Sequence, residues 1–157
     1  MSDIQLRQAG LKLLQGREYV LAFEAWSAQP RTIEVRLGQN QSPGSTYKLI
    51  TPSLTPTRRT LTYSFVMQNA TDLNTRLAFN LGGSSVDVYL DTISLFLVAK
   101  GDFDRDRCIG FDDLKVFTSQ WLQQGTGLTA DLNSDSKVDY SDFSILGENW
   151  AGGATCP

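Results

Sequence analysis

Two acidic stretches near the C-terminal end of the chain have the residue types and spacing that bind metal ions. The first reads GDFDRDRCIGFDDLKVF from residue 101, and the second reads ADLNSDSKVDYSDFSIL from residue 130. Counted from the first Asp of each stretch, oxygen-bearing side chains occupy positions 1, 3, 5 and 12: Asp102, Asp104, Asp106, Asp113, Asp131, Asn133, Asp135 and Asp142. Like charges this close repel, so we expect a divalent cation in each stretch to offset the repulsion.

This spacing is that of a calcium loop of the EF-hand type. In such a loop, position 7 ligates through its backbone carbonyl, and here it is Cys108 or Lys137. Position 9 ligates directly or through water, and here it is Gly110 or Asp139. A flexible oxygen cage suits calcium better than magnesium, which keeps most of its water. We therefore expect two calcium ions.

Two positions depart from the usual loop. Position 6 is normally Gly because the chain turns left-handed there, but it is Arg107 or Ser136 here, and Asp replaces Glu at position 12. A residue with a side chain costs about 1 to 2 kcal/mol in that conformation. The alternative is that both stretches are solvated acidic turns without an ion.

A helix is predicted directly after each loop, where it can hold the loop in place. Apolar residues fall at helical spacing after each loop, at Leu114, Phe117, Trp121 and again at Phe143, Leu146, Trp150. The two stretches match position by position at an offset of 29 residues. We therefore predict an internal duplication of a loop followed by a helix.

The residues before 100 have a different period. Apolar and polar residues alternate, which predicts strands at Glu18–Trp26, Thr32–Gly38, Thr60–Met67, Thr75–Leu81, Val86–Leu90 and Ile93–Val98. Turn residues separate these runs. The pattern predicts an antiparallel β-sandwich over residues 1–99, followed by a small helical metal-binding domain over residues 100–157.

Charge changes at the same boundary. Residues 1–100 carry ten Lys and Arg against seven Asp and Glu (+3), whereas residues 101–157 carry four against ten (−6). The acidic part argues against a nucleic-acid partner. No apolar run approaches the roughly 18 residues of a membrane span, and no signal peptide stands at the start. The absence of histidine excludes histidine-based triads and histidine-ligated zinc.

The C-terminal part resembles the type I dockerin domain, because one helix follows each loop, no helix precedes the first loop, and Asp stands at position 12. The resemblance implies a cohesin-like protein partner, bound through positions 10 and 11 of each loop: Phe111, Asp112, Tyr140 and Ser141. Dockerins also bring their ends together, which would allow a disulfide between Cys108 and Cys156. Two free thiols are the alternative.

The N-terminal part resembles carbohydrate-binding modules of families 4 and 9. IQLRQAGLKLLQGREYVLAFEAWS, TIEVRLGQNQSPGSTY and RLAFNLGGSSVDVYLDTISL carry the resemblance. It implies a jelly-roll sandwich with a groove across one sheet that binds a single glucan or xylan chain through aromatic rings and amides. The candidate groove residues are Trp26, Arg36, Gln39, Gln41, Tyr47 and Asn80, with Trp26 and Asn80 on one face.

Two more expectations come from this resemblance. The opening strand of the family is missing, because the chain starts at the second strand. We therefore expect a C-terminal fragment of a longer protein, whose signal peptide lies upstream. Asp91 resembles a ligand of the family's structural calcium, which would make a third calcium site.

Three functional hypotheses remain. The leading one is a non-catalytic, polysaccharide-binding sandwich with a calcium-dependent tether, the C-terminal part of a secreted multidomain protein that either degrades polysaccharide or is a surface protein. The second makes the sandwich a glycoside hydrolase acting on β-glucan or xylan, with Glu24 and Glu34 on neighbouring strands as acid and nucleophile. The third makes the sandwich a structural spacer beside a calcium-dependent protein-interaction module.

Overall fold

The chain folds into two compact units, Met1–Leu97 and Val98–Pro157. A computed structural model describes residues 4–41 and 44–150 of the chain. Strands build the first unit, whereas loops and short helices build the second. Each unit has a hydrophobic core of its own.

The first unit is an antiparallel β-sandwich, as the sequence predicts. Its described strands are β1 Gln5–Leu13, β2 Glu18–Ser27, β3 Arg31–Thr32, β4 Glu34–Gln39, β5 Thr46–Ile50, β6 Ser53–Leu54, β7 Arg59–Val66, β8 Asp72–Asn80 and β9 Val88–Leu97. One sheet has the order β1-β8-β4-β5, and the other has the order β7-β2-β9. β3 and β6 form a short separate pair.

β2 shows how alternating residues build the core. Tyr19, Leu21 and Phe23 are buried, whereas Glu24 beside them is half-buried on the other face. The ring of Phe23 contacts Phe79 of the other sheet edge-on, with centroids 5.1 Å apart. Removing a side chain of this size from water stabilises the fold by about 1.5 to 3 kcal/mol. The alternation predicted for this strand is confirmed except at Val20, which is also buried.

The last strand corrects the sequence interpretation. The sequence predicts separate strands at 86–90 and 93–98, but β9 is one strand that pairs along β2. Thr92 has a left-handed φ of 48°, and the pairing register shifts beside it, between Ala22 and Glu24 of β2. Such a bulge bends a strand without ending it. The alternation of apolar and polar residues is interrupted at the bulge, and for this reason the sequence pattern predicts two strands where the structure has one.

The second unit contains two helices of nine residues, α1 Phe111–Ser119 and α2 Tyr140–Glu148, which begin 29 residues apart. At the third helical position, Asp113 and Asp142 accept hydrogen bonds at 2.9 Å from the N–H of the residue before each helix. The core between them consists of Ile109, Phe117, Ala130, Leu132, Val138 and Leu146. Neither described helix has the length and apolar character needed to cross a bilayer.

Candidate functional sites

The acidic side chains of each loop gather in one place. In the first loop, oxygens of Asp102, Asp104 and Asp106 lie within 4.8 Å of one another. In the second loop, oxygens of three side chains do the same: Asp131, Asp135 and Asp142. Each loop can therefore present several oxygens to one ion.

Both loops share one backbone shape. The residues at positions 4 and 6 are left-handed in each, with φ values of 63° at Arg105, 78° at Arg107, 66° at Ser134 and 67° at Ser136. The strain expected at position 6 is present, and position 4 adds a second strained residue that the sequence analysis missed. Each costs about 1 to 2 kcal/mol. Strain that recurs at matching positions of two repeats is typical of a ligand site.

The carboxylate at position 12 lies in the first turn of each helix and accepts hydrogen bonds from backbone N–H groups of the loop. Asp113 accepts hydrogen bonds from the N–H groups of Phe103 at 2.6 Å and Gly110 at 2.9 Å. Asp142 accepts one from Leu132 at 2.8 Å. Both carboxylates are buried. Their negative charge also lies in the first helical turn, where the helix dipole favours it.

Asp102 has an unsatisfied oxygen. The residue is 5 % exposed, and its Oδ1 has no hydrogen-bond partner within the described part of the chain, while Oδ2 accepts from the N–H of Arg107 at 3.2 Å. Burial raises the pKa of this carboxyl because the charged form loses its hydration. A buried carboxylate oxygen without a donor is unfavourable unless a cation satisfies it. The donor set of the first loop therefore fits a divalent ion.

The residues at position 7 each donate a backbone hydrogen bond to the carboxylate at position 5. Cys108 donates its N–H to Asp106 at 2.7 Å, and Lys137 donates to Asp135 at 3.0 Å. These bonds turn the two carboxylates toward the loop centre. Ligation by the carbonyls of position 7 stays a prediction.

Position 9 differs between the loops. Asp139 caps α2 by accepting the N–H of Ser141 at 2.8 Å, whereas Gly110 has no side chain to offer. Ligation at this position stays a prediction. The proposed disulfide of Cys108 also stays a prediction, because Cys156 lies outside the described residues.

Two exposed aromatic residues begin the two helices. Phe111 is 82 % exposed and lies edge-on to Trp150, with ring centroids 5.7 Å apart. Tyr140 is 77 % exposed and lies edge-on to Trp121 at 5.2 Å. Each ring therefore contacts the Trp that follows the other helix. The other two predicted partner-binding residues are also exposed: Asp112 and Ser141.

The predicted glycan-binding residues divide between the two sheets. Trp26 lies on β2 of the three-stranded sheet, whereas Asn80 lies on β8 of the four-stranded sheet. Their neighbours Ala25 and Phe79 point into the shared core, so the two side chains leave the sandwich on opposite sides. The expectation that they share one face is wrong, because alternation separates inside from outside but does not identify the sheet.

A polar network lies on the four-stranded sheet. Asn80 donates to Glu34 Oε1 at 2.7 Å and accepts from Gln5 Nε2 at 2.5 Å. These three side chains line a cleft of ≈ 550 Å³ at the end of the sheet. Arg36, on the same strand as Glu34, donates to Thr46 at 2.6 Å. The sequence analysis missed Gln5, although this residue lies in the first of the three stretches that resemble carbohydrate-binding modules.

On the three-stranded sheet, neighbours cover the ring of Trp26. Tyr89 stacks against it at 5.2 Å and 12°, and the guanidinium of Arg58 lies 5.0 Å from its centre. Tyr89 comes from β9 and Arg58 precedes β7, so they approach from opposite sides of β2. Arg58 also pairs with Glu24 and, at 2.7 Å, with Asp91. Within the described residues, no group of three metal-ligating side chains surrounds Asp91, and its calcium stays a prediction.

The two carboxylates of the glycosidase hypothesis do not share a face. Glu24 lies on β2 and Glu34 on β4, and these strands belong to different sheets, so the expectation of neighbouring strands is wrong. The hydrogen bond from Arg58 lowers the pKa of Glu24 and favours its charged form. A paired, charged Glu24 is a poor general acid.

The remaining groove candidates lie near the turn after β4. Tyr47 packs against the core, and its hydroxyl donates to Asp72 at 2.9 Å. Burial, together with this hydrogen bond, raises the pKa of Tyr47. Gln39 accepts the N–H of Ser45 at 3.1 Å and holds the turn, while Gln41 is exposed. Of these three side chains, Gln41 has the most freedom to meet a ligand.

Comparisons with known proteins concern the sandwich. Residues 2–87 match the model of the CBM_4_9 family, described as a carbohydrate binding domain. A cellulose 1,4-beta-cellobiosidase of Acetivibrio thermocellus is 32 % identical over 103 residues, which cover 60 % of this chain and 12 % of that protein. The chain therefore spans a small part of the length of this curated relative.

Two solved structures have a similar fold. A structure described as "CBM4 structure and function" has a TM-score of 0.56 and 28 % identity, over 60 % of this chain and 61 % of the other. The N-terminal cellulose-binding domain of β-1,4-glucanase C from Cellulomonas fimi has a TM-score of 0.51 and 27 % identity, over 60 % and 68 %. Both similarities support the antiparallel sandwich.

Proposed function

The chain belongs to the CBM_4_9 family of carbohydrate-binding domains, and we propose that its sandwich binds a β-glucan or xylan chain on the four-stranded sheet. The observation that carries this choice of face is the network of Gln5, Glu34 and Asn80 along the ≈ 550 Å³ cleft. Amides and carboxylates in a cleft can orient a ligand rich in hydroxyls. The names of the related cellobiosidase and cellulose-binding domain favour the same class of ligand.

The three-stranded face is less suitable for a sugar ring. A sugar stacks on an open aromatic face, but Tyr89 stacks on Trp26 and the guanidinium of Arg58 lies 5.0 Å from the centre of its ring. Exposing that ring would require Arg58 to leave Glu24 and Asp91. Tyr89, at 45 % exposed, is the aromatic residue of this face that a ligand could reach.

Affinity electrophoresis of the complete chain in gels that contain β-glucan or xylan tests this proposal. Asn80→Ala should weaken glycan binding about tenfold, the effect of losing about 1.4 kcal/mol of polar contacts. Tyr89→Ala, on the opposite face, is the matched control and should bind as the parent does. If Tyr89→Ala weakens binding and Asn80→Ala does not, the glycan binds on the three-stranded sheet instead. Unretarded migration in every glycan would favour the spacer hypothesis.

A catalytic sandwich has less support. Glu24 and Glu34 lie on different sheets, and the family to which the chain belongs consists of binding domains. We expect no release of reducing sugar from β-glucan or xylan by the complete chain. Release that Glu24→Gln abolishes would overturn this view.

We also propose that the second unit is a dockerin-like tether with one calcium ion in each loop. Three observations support it: the clustered carboxylates, the repeated left-handed positions, and the unsatisfied oxygen of Asp102. The bound ions would neutralise the carboxylates that crowd each loop. We propose a secreted or cell-surface location as well, since the proposed polysaccharide ligand lies outside the cell.

A cohesin-like module is the proposed partner of this tether. Phe111 and Tyr140 are exposed apolar rings at equivalent places, and Trp residues support both from the side. Rigid aromatic residues of this kind often dominate protein interfaces. A module of this kind should bind the complete chain in calcium but not in chelator. Phe111→Ser combined with Tyr140→Ser should abolish binding, and Leu122→Ser, also at an exposed residue of this unit, should not.

A further inference from the structure

The two loops share a backbone shape but differ in how their first carboxylate is satisfied. In the second loop, Asp131 accepts hydrogen bonds through both oxygens, from Asp135 N–H at 3.1 Å and Ser136 N–H at 2.8 Å. In the first loop, Oδ2 of Asp102 accepts from the N–H of Arg107, but Oδ1 has no hydrogen-bond partner among residues 4–41 and 44–150, and the residue is 5 % exposed. Within this part of the chain, the first loop therefore contains a buried carboxylate oxygen without a donor.

The third position of the loop increases this difference. Asn133 donates its side-chain amide to Asp135 at 3.1 Å, so a hydrogen bond replaces a repulsion between carboxylates in the second loop. Its counterpart Asp104 is an acceptor only and lies in one cluster with Asp102 and Asp106. Positions 1, 3, 5 and 12 thus carry four carboxylates in the first loop and three in the second.

We propose that the first loop, residues 102–113, needs its cation to fold, whereas the second loop, residues 131–142, keeps its fold without one. This inference rests on the proposed calcium function and concerns its regulation. Without a cation, repulsion among the carboxylates and the unsatisfied buried oxygen both destabilise the folded first loop. The two residues with left-handed backbone destabilise it further. The second loop bears the same strain, but its own donors satisfy the acidic side chains.

The difference between the loops affects the proposed partner-binding residues, because α1 directly follows the first loop. Phe111 is the first residue of α1, and Asp113 fastens that helix to the loop through Phe103 and Gly110. An opened first loop therefore releases Phe111, while Tyr140 keeps its place at the start of α2. The cation then controls one half of the exposed aromatic pair.

Amide hydrogen exchange of the complete chain, followed by NMR in calcium and in chelator, tests this. In chelator, the amides of Phe103 and Arg107 should exchange at least about tenfold faster than in calcium. The amides of Leu132 and Ser136, their counterparts in the second loop, should change by less than about threefold. Equal acceleration in both loops overturns the asymmetry and leaves calcium binding intact. No change in either loop overturns the calcium proposal as well.

A pair of reciprocal variants at exposed positions provides the matched control. Asp104→Asn gives the first loop the amide of the second and should slow the exchange of Phe103 in chelator toward the rate of Leu132. Asn133→Asp should make the exchange of Leu132 depend on calcium. If neither swap changes the exchange rate of its own loop, position 3 is not the source of the difference and the proposal fails.

Discussion

Replacing Asp142 by Ala should unfold the second unit. Its carboxylate is 0 % exposed and accepts hydrogen bonds from the N–H groups of Leu132 at 2.8 Å, Asn133 at 3.1 Å and Asp139 at 2.9 Å. At about 1.5 to 3 kcal/mol for each bond to a charged acceptor, the loss is about 4 to 9 kcal/mol. A unit of about 60 residues has a total stability of about 3 to 9 kcal/mol. The loss therefore matches the whole stability of the unit.

Urea denaturation in chelator, followed by the helical signal in circular dichroism, measures this loss without any contribution from a bound ion. Asp142→Asn keeps one acceptor oxygen and should lower the free energy of unfolding by about half as much. This variant therefore allows the loss to be measured even if Asp142→Ala does not fold. Glu148→Ala, at an exposed residue in the last turn of the same helix, should change stability by less than about 0.5 kcal/mol. If Asp142→Ala differs from Glu148→Ala by less than about 1 kcal/mol, the reasoning about buried acceptors is refuted.

Three further substitutions, two of them paired with a control variant, test packing and hydrogen bonding in the two units by denaturation. Gly101 has φ 99°, and an added Cβ would meet Leu146 at 2.7 Å, so Gly101→Ala should cost about 2 to 4 kcal/mol in the second unit. Gly127→Ala, with φ 82° and open space around it, should cost about 1 kcal/mol, and equal costs would exclude the clash. Phe23→Ala, at a fully buried residue of the sandwich, should cost about 3 to 5 kcal/mol, and a loss below about 1 kcal/mol would contradict the core described above. Arg31 donates to the carbonyls of Leu81, Gly82 and Val86 at 2.7 to 3.1 Å, so Arg31→Met should destabilise the sandwich by about 2 to 4 kcal/mol. Arg59→Met, which removes one bond of 3.3 Å, should cost much less.

The features that sequence reasoning could reach were local ones. Burial of Tyr19, Leu21 and Phe23 follows from their period, because a strand turns alternate residues to one side. The clustering of the carboxylates around Asp102 and around Asp131 follows from spacing within one short loop, where few backbone shapes are possible. In both cases the information lies within a few residues of the chain.

The expectations about shared faces were wrong because they depend on pairing between distant segments. Trp26 and Asn80 both point outward, but only the pairing of β2 with β7 and β9 shows that Trp26 belongs to the other sheet. The same pairing separates Glu24 from Glu34. Nothing in the residue pattern distinguishes one outer face from another, because each shows the same alternation.

The aromatic contacts between the two loop-helix repeats have a consequence for how such a unit could originate. Phe111 contacts Trp150, and Tyr140 contacts Trp121, so an aromatic ring of each repeat packs against the tryptophan of the other. A lone repeat would leave its tryptophan and its exposed ring without these neighbours. Two identical lone repeats could restore both contacts by associating as a symmetric dimer. Tandem fusion of such an ancestor would give the present arrangement, with the dimer interface turned into an interior.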